Sequence, residues 1–194
     1  LIDLFAGGLS LPGRVYIVCP GPNGVAAYEK VPRGACVIAV NYGVCAGVKP
    51  TYHLVADVRA PWSCWWPDQL PDGVTRIYSR DLAAKGITCE RSFNQNPPMG
   101  AGKYEPQYGC LRCGAGGLGQ ALQACHWFMP AKAWVGIIGA DLDGECYFDG
   151  TVVKAYLGGD HWQSQRRRVE QLVDYLRRQR GMVIESLSET TLRI

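Results

Sequence analysis

Short apolar runs that do not alternate with polar residues, each closing on a polar residue or a tight turn, limit this chain more than any other feature. Residues 14–19 (Arg-Val-Tyr-Ile-Val-Cys) run into Pro20-Gly-Pro-Asn-Gly24, residues 35–40 (Ala-Cys-Val-Ile-Ala-Val) end on Asn41, and residues 51–56 (Thr-Tyr-His-Leu-Val-Ala) end on Asp57. Residues 133–138 repeat the pattern, 74–79 are a further strand candidate and 182–187 make a last strand. Strands covered on both faces read this way, whereas a half-solvated strand alternates. Between them lie helical stretches. Residues 120–129 are rich in Ala, Leu and Cys and stop at Pro130, and over 162–180 Val169, Leu172, Val173 and Leu176 follow i, i+3, i+4, i+7 before Gly181. Buried strands alternating with helices predict an α/β fold: one Rossmann-like, doubly wound, mostly parallel sheet.

The 194 residues fit one such domain, read as a single nucleotide-binding α/β domain over 1–194, with an irregular insertion at about 81–113 where periodicity is lost. Gly 24 and Pro 12 indicate many turns without a collagen period, and a net charge of +3 is too mild to imply a nucleic-acid partner. No run reaches the ~18 apolar residues of a membrane span, and the start lacks a basic region followed by an apolar stretch. The expectation is an unexported protein of the reducing cytoplasm, with several of its nine cysteines packed as core. Composition leaves the oligomeric state open.

In a parallel sheet, ligands bind beyond the carboxyl ends of the strands. Residues 19–24, Asn41, Asp57 and 141–143 would project there. The turn at Gly21, Pro22 and Asn23 could bring backbone N–H groups to an anionic group, or it could be a plain strand-to-helix turn. The glycine-rich stretch 114–119, containing Gly116 and Gly117, has the same two readings before a helix. Asp141 and Asp143, two apart at a strand end, could hold Mg²⁺ bridged to phosphates, although such pairs also arise by chance. Cys110 and Cys113 form half of a zinc-like spacing that Cys89, Cys125 or His126 would have to complete. The arginines at 166–168, 177, 178 and 180 read as a solvated helix face, with phosphate or nucleic-acid contact as the lesser alternative. Trp62, Trp65 and Trp66 could stack a ring or anchor a loop. His161, ahead of the amphipathic helix, stands where an imidazole could act as a general base or be only a surface residue.

Residues 1–10 resemble the cofactor-binding motif of DNA cytosine-5 methyltransferases with two residues missing from its glycine turn. No Pro-Cys-Gln loop or Glu-Asn-Val motif accompanies it, so a chance match or a remnant is expected.

Taken in order, Cys19-Pro-Gly-Pro-Asn23, the run ending on Asn41, Lys49 to Asp57, Gly116-Gly-Leu-Gly-Gln-Ala121, Ile138-Gly-Ala-Asp141, Tyr147-Phe-Asp149 and His161 resemble one superfamily. It joins bacterial lipooligosaccharide sialyltransferases to archaeal 6-hydroxymethylpterin diphosphokinase-like proteins and includes phage-borne relatives. The resemblance runs from about residue 14 to the C-terminus; within it, the stretch 81–113 matches no known pattern. It implies that Gly21, Pro22, Asn23 and Asn41 hold a cytidine nucleotide, with Asn standing where the sialyltransferases carry Ser. It implies His161 as the base that deprotonates an acceptor hydroxyl and Tyr147 as a group assisting the leaving phosphate, while Asp143 occupies the place of a second tyrosine. The expected function is a sialyltransferase-like transfer from a nucleotide-sugar donor of the CMP-sugar type. The alternatives are a Mg-dependent diphosphokinase using Asp141 and Asp143, or a phage-type protein that binds a nucleotide without turnover.

Overall fold

The structure, a computed structural model, describes residues 2–57, 66, 70–95, 105–142 and 159–194, except the side chains of 159–161. Eight parallel strands form one sheet: β1 (Ile2–Asp3), β2 (Arg14–Val18), β3 (Val37–Val40), β4 (Tyr52–Val55), β5 (Thr75–Ser79), β6 (Arg91–Phe93), β7 (Trp134–Ile138) and β8 (Val183–Ser186), in the order β1-β6-β5-β4-β3-β2-β7-β8. The fold is therefore α/β and Rossmann-like, and every strand pair in it is parallel. Among the described residues three α-helices accompany the strands: α1 (Arg80–Ala84), α2 (Gly116–Phe128) and α3 (Gly159–Arg180). Among the described residues, no helix is long and apolar enough to cross a membrane.

The two-residue period of a strand sends alternate side chains to opposite faces. Val15, Ile17, Ile38, Val40, Leu54, Ile77, Phe93, Val135 and Ile137 form one face, which packs on Leu118, Ala121, Leu122 and Cys125 of α2 and on Val169, Leu172, Val173 and Leu176 of α3. Tyr16, Val18, Val37 and Ile138 face the other way onto Ala27, and further along the sheet Val55 and Tyr78 meet Leu82 of α1 and Cys89. Residues 22–30, where the sequence reads as weakly helical, form a 3-10 helix, Pro22–Lys30, whose turn starts on Pro22 without a side-chain cap.

Two expectations change. The stretch 81–113 is not wholly irregular: β6 lies within it and pairs with both β5 and β1. Three residues are too few to display a period, so the strand carries no sequence signal of its own. Nor are all the arginines of α3 simply solvated, although Arg167 and Arg178 are exposed. Arg166 donates to the Leu142 carbonyl, Arg168 to Gly114, Arg177 to Ile184 and Arg180 to Met129. These guanidinium groups cap carbonyls left over at loops and at an edge strand, a role that charge patterning along the helix does not reveal.

Candidate functional site

The strand order sets the site. From β2 the chain moves outward through β3, β4, β5 and β6, and later returns to the other side of β2 as β7 and β8. Between β2 and β7 the loops leave in opposite directions, which makes their carboxyl ends the place where a parallel sheet of this kind offers a ligand crevice. Both α2 and α3 precede or follow their strands antiparallel to the sheet, so their N-termini point to this same edge.

The residues at this edge press closely together. The ladder between β2 and β7 continues past the strands, with Cys19 N–H bonded to Ile138 O and Gly21 N–H bonded to Gly139 O, each at 2.8 Å. A Cβ on Gly21 would lie 2.2 Å from Asp141 Oδ2 and 2.5 Å from Gly139 O, so only glycine permits this approach. Asp141 is 2% exposed and its Oδ2 accepts the Asn23 N–H at 3.0 Å. A carboxylate on the β7 side thus fixes the turn on the β2 side. The segment after β8 supports the same loop: Ser188 Oγ accepts the Gly139 N–H, Thr190 donates to Ala140 O, and Thr191 donates to Asp141 O.

Asn41 follows β3 directly, opening a 3-10 turn (Asn41–Cys45), with φ at +50°, in the left-handed region that asparagine tolerates better than most residues. A Cβ on Gly117 would stand 2.4 Å from Val40 Cγ1 and 3.3 Å from Asn41 Nδ2. The first turn of α2 is therefore seated on the end of β3, and Asn41 lies beside that N-terminus. The Asn41 Oδ1 atom is buried without a hydrogen-bond partner among the described residues. Gly116, at φ +62°, approaches the Gln165 side chain of α3.

The structure brings Gly21, Pro22, Asn23 and Asp141 together, and Asn41, Gly116 and Gly117 together one strand away. Asp57 follows β4, two strands from β2. His161 lies in the first turn of α3, at the same edge of the sheet. Asp143, Tyr147 and Asp149 lie outside the described residues, as do Trp62 and Trp65. Trp66 packs against His53 and Tyr78. Among the described residues, no group of three or more His, Cys, Asp or Glu side chains is placed to hold a metal, and Cys89, Cys110 and Cys113 are free thiols.

Electrostatics limit the roles available here. Burial, with Asp141 nearby, pushes the Cys19 thiol up to about 12, so it is not a thiolate nucleophile. His126, buried against Trp127 and Tyr175, is held down to about 4 by desolvation and by Arg180. His53 in β4 is fully buried, with Nδ1 3.0 Å from the Tyr78 hydroxyl and Nε2 3.0 Å from Asn41 O. The sequence places His53 inside an apolar run, where it reads as core; its link to Asn41 depends on strand pairing that one-dimensional spacing does not show. An open groove of about 710 Å³ between residues 22–30 and 186–189 shares Pro22 and Asn23 with the crevice but lies on the sheet face away from α2 and α3. No protein-family model, curated protein or solved structure matches this chain.

Proposed function

We propose that the protein is a sialyltransferase-like glycosyltransferase whose nucleotide-sugar donor, of the CMP-sugar type, lies in the crevice between β2 and β7. The observation that carries this reading is the braced turn: Asp141 holds Asn23 N–H while Asn41 and the uncapped α2 N-terminus lie alongside. The N–H groups of the α2 N-terminus and the amide side chains of Asn23 and Asn41 at a switch point suit a phosphate and its sugar. In this reading His161 takes the proton of an acceptor hydroxyl as its oxygen attacks the anomeric carbon. The bond from that carbon to the phosphate oxygen breaks, and CMP leaves with its charge stabilised by Tyr147.

A melting-temperature screen with CMP and with ATP, each with and without Mg²⁺, tests the reading, since a ligand of the native state raises stability. The expected result is stabilisation by CMP that does not depend on Mg²⁺. Stabilisation only by ATP with Mg²⁺ would favour diphosphoryl transfer through Asp141 and Asp143. His161→Ala should abolish transfer while sparing CMP binding; unchanged turnover would remove His161 as the base. Binding of CMP with no transfer to any acceptor would favour a protein that sequesters the nucleotide.

A further inference from the structure

We propose that His53 and Tyr78 form a positioning relay that holds Asn41 and thereby sets how tightly the crevice grips its nucleotide; this rests on the nucleotide reading above. The relay crosses three adjacent strands, from Tyr78 in β5 through His53 in β4 to Asn41 at the end of β3. A backbone carbonyl only accepts, so the 3.0 Å contact between His53 Nε2 and Asn41 O requires the proton on Nε2. The Nδ1 lone pair is then free to accept, and the Tyr78 hydroxyl, also at 3.0 Å, donates to it. Both ring nitrogens are thereby used, and one neutral tautomer is selected.

The direction of the relay argues for a role beyond core packing. An aliphatic side chain at position 53 would pack between the sheet and its cover without the desolvation that an imidazole and a phenol incur. Here the polar pair ends on the carbonyl of a left-handed asparagine at the ligand edge. Fixing that peptide fixes where the Asn41 side chain starts, beside Gly117 and the N-terminus of α2. Trp66 packs on both relay rings and holds them in register.

Two substitutions separate the ends of the relay. In His53→Asn the amide oxygen replaces Nδ1 and still accepts from Tyr78, but nothing donates to Asn41 O. In His53→Gln the longer amide reaches the Nε2 position and restores that donor. Calorimetric titration of each full-length variant with CMP should give His53→Gln within about threefold of the wild type and His53→Asn weaker by about tenfold or more, at similar melting temperatures. A merely structural histidine would make affinity follow melting temperature, with the two variants alike, and that result would overturn the relay. Nitrogen-15 spectra of the ligand-free protein provide a second arm. They should show His53 protonated on Nε2, and the Tyr42 backbone amide, which shares its peptide unit with Asn41 O, should shift in His53→Asn but hold its place in His53→Gln. A proton on Nδ1, or a Tyr42 amide indifferent to both changes, overturns the relay independently of any ligand. A wild-type protein that does not bind CMP overturns the nucleotide reading and the affinity claim together, and the spectra still judge the hydrogen-bonded chain by itself.

Discussion

Gly21→Ala tests the central geometric claim, that the exits of β2 and β7 touch so closely that no side chain fits between them. Gly21 has φ −69° and ψ 149°, values any residue adopts, so alanine brings no backbone strain. What it brings is a methyl group 2.2 Å from Asp141 Oδ2 and 2.5 Å from Gly139 O, where non-bonded heavy atoms normally keep about 3.5 Å. One obstacle is backbone, so turning a side chain cannot relieve the clash. If the Asp141 carboxylate yields, it loses the Asn23 N–H while 2% exposed, a hydrogen bond to a charged group worth about 1.5–3 kcal/mol. Overpacking adds about 1–3 kcal/mol. The sum is about 2.5–6 kcal/mol, which for a chain of this length lowers the melting temperature by about 5–24 °C. Gly13→Ala is the control: its Cβ meets nothing nearer than Pro130 Cγ at 3.8 Å, and it should change stability by no more than about 0.5 kcal/mol. Thermal unfolding followed by circular dichroism reads both. If Gly21→Ala melts within about 2 °C of Gly13→Ala, the two strand exits are not in contact and the braced turn is wrong.

Three further outcomes follow from the same structure. His53 is held down to about 4 by burial, against about 6.5 when unfolded, so the unfolded chain binds the extra proton and stability falls as pH drops from 6.5 towards 4. At pH 5 this amounts to about 2 kcal/mol, and His53→Gln should remove that share of the pH dependence in urea titrations, leaving the part due to His126. The Arg76 guanidinium beside Glu90 holds that carboxyl down to about 2, so the pair stabilises above the ordinary glutamate range and loses its effect as pH falls through about 2. Because both side chains are more than 30% exposed, Glu90→Gln should cost less than about 1 kcal/mol at pH 7, and melting curves at pH 2 should coincide with the wild type. Arg168→Met removes the donor 2.9 Å from Gly114 O and should cost about 1–2 kcal/mol, with faster amide exchange over residues 114–118 but not over β7.

What could be read from the sequence depended on how far each feature extends along the chain. Apolar runs announce β2, β3, β4 and β7 because burial on both faces leaves few polar residues in them, β5 carries Thr75 and Arg76 and reads more weakly, and β8 follows after the Gly181 stop. The two- and three-residue strands β1 and β6 carry no period and take their structure from each other and from β5, so they were invisible. The glycines at 116 and 117 read as a turn before a helix, yet α2 begins on Gly116: Gly117 is there because Val40 Cγ1 leaves no room for a Cβ. A contact between residues 77 apart outweighs local helix preference at that position.

Residues of the candidate site fall into two kinds. Those at strand ends, Asn23, Asn41 and Asp141, are legible because a parallel sheet sends every strand exit to one edge, whatever the details of packing. Those that act across strands are not. Asp141 reads from its spacing as half of a metal pair, while the fold shows its carboxylate gripping a backbone N–H 118 residues away. His53 reads as core, and it does lie in the core, but its second nitrogen reaches the peptide of Asn41. Spacing along a chain identifies groups that share an edge; it does not identify which group holds another in place. In this protein the residues that shape the crevice are coupled through β3, β4 and β5 on one side and through β7 and the tail of β8 on the other. Substitutions that remove the His53 donor to Asn41 O or the Thr191 donor to Asp141 O, with no place in the crevice itself, are therefore expected to alter binding there as strongly as changes at its rim.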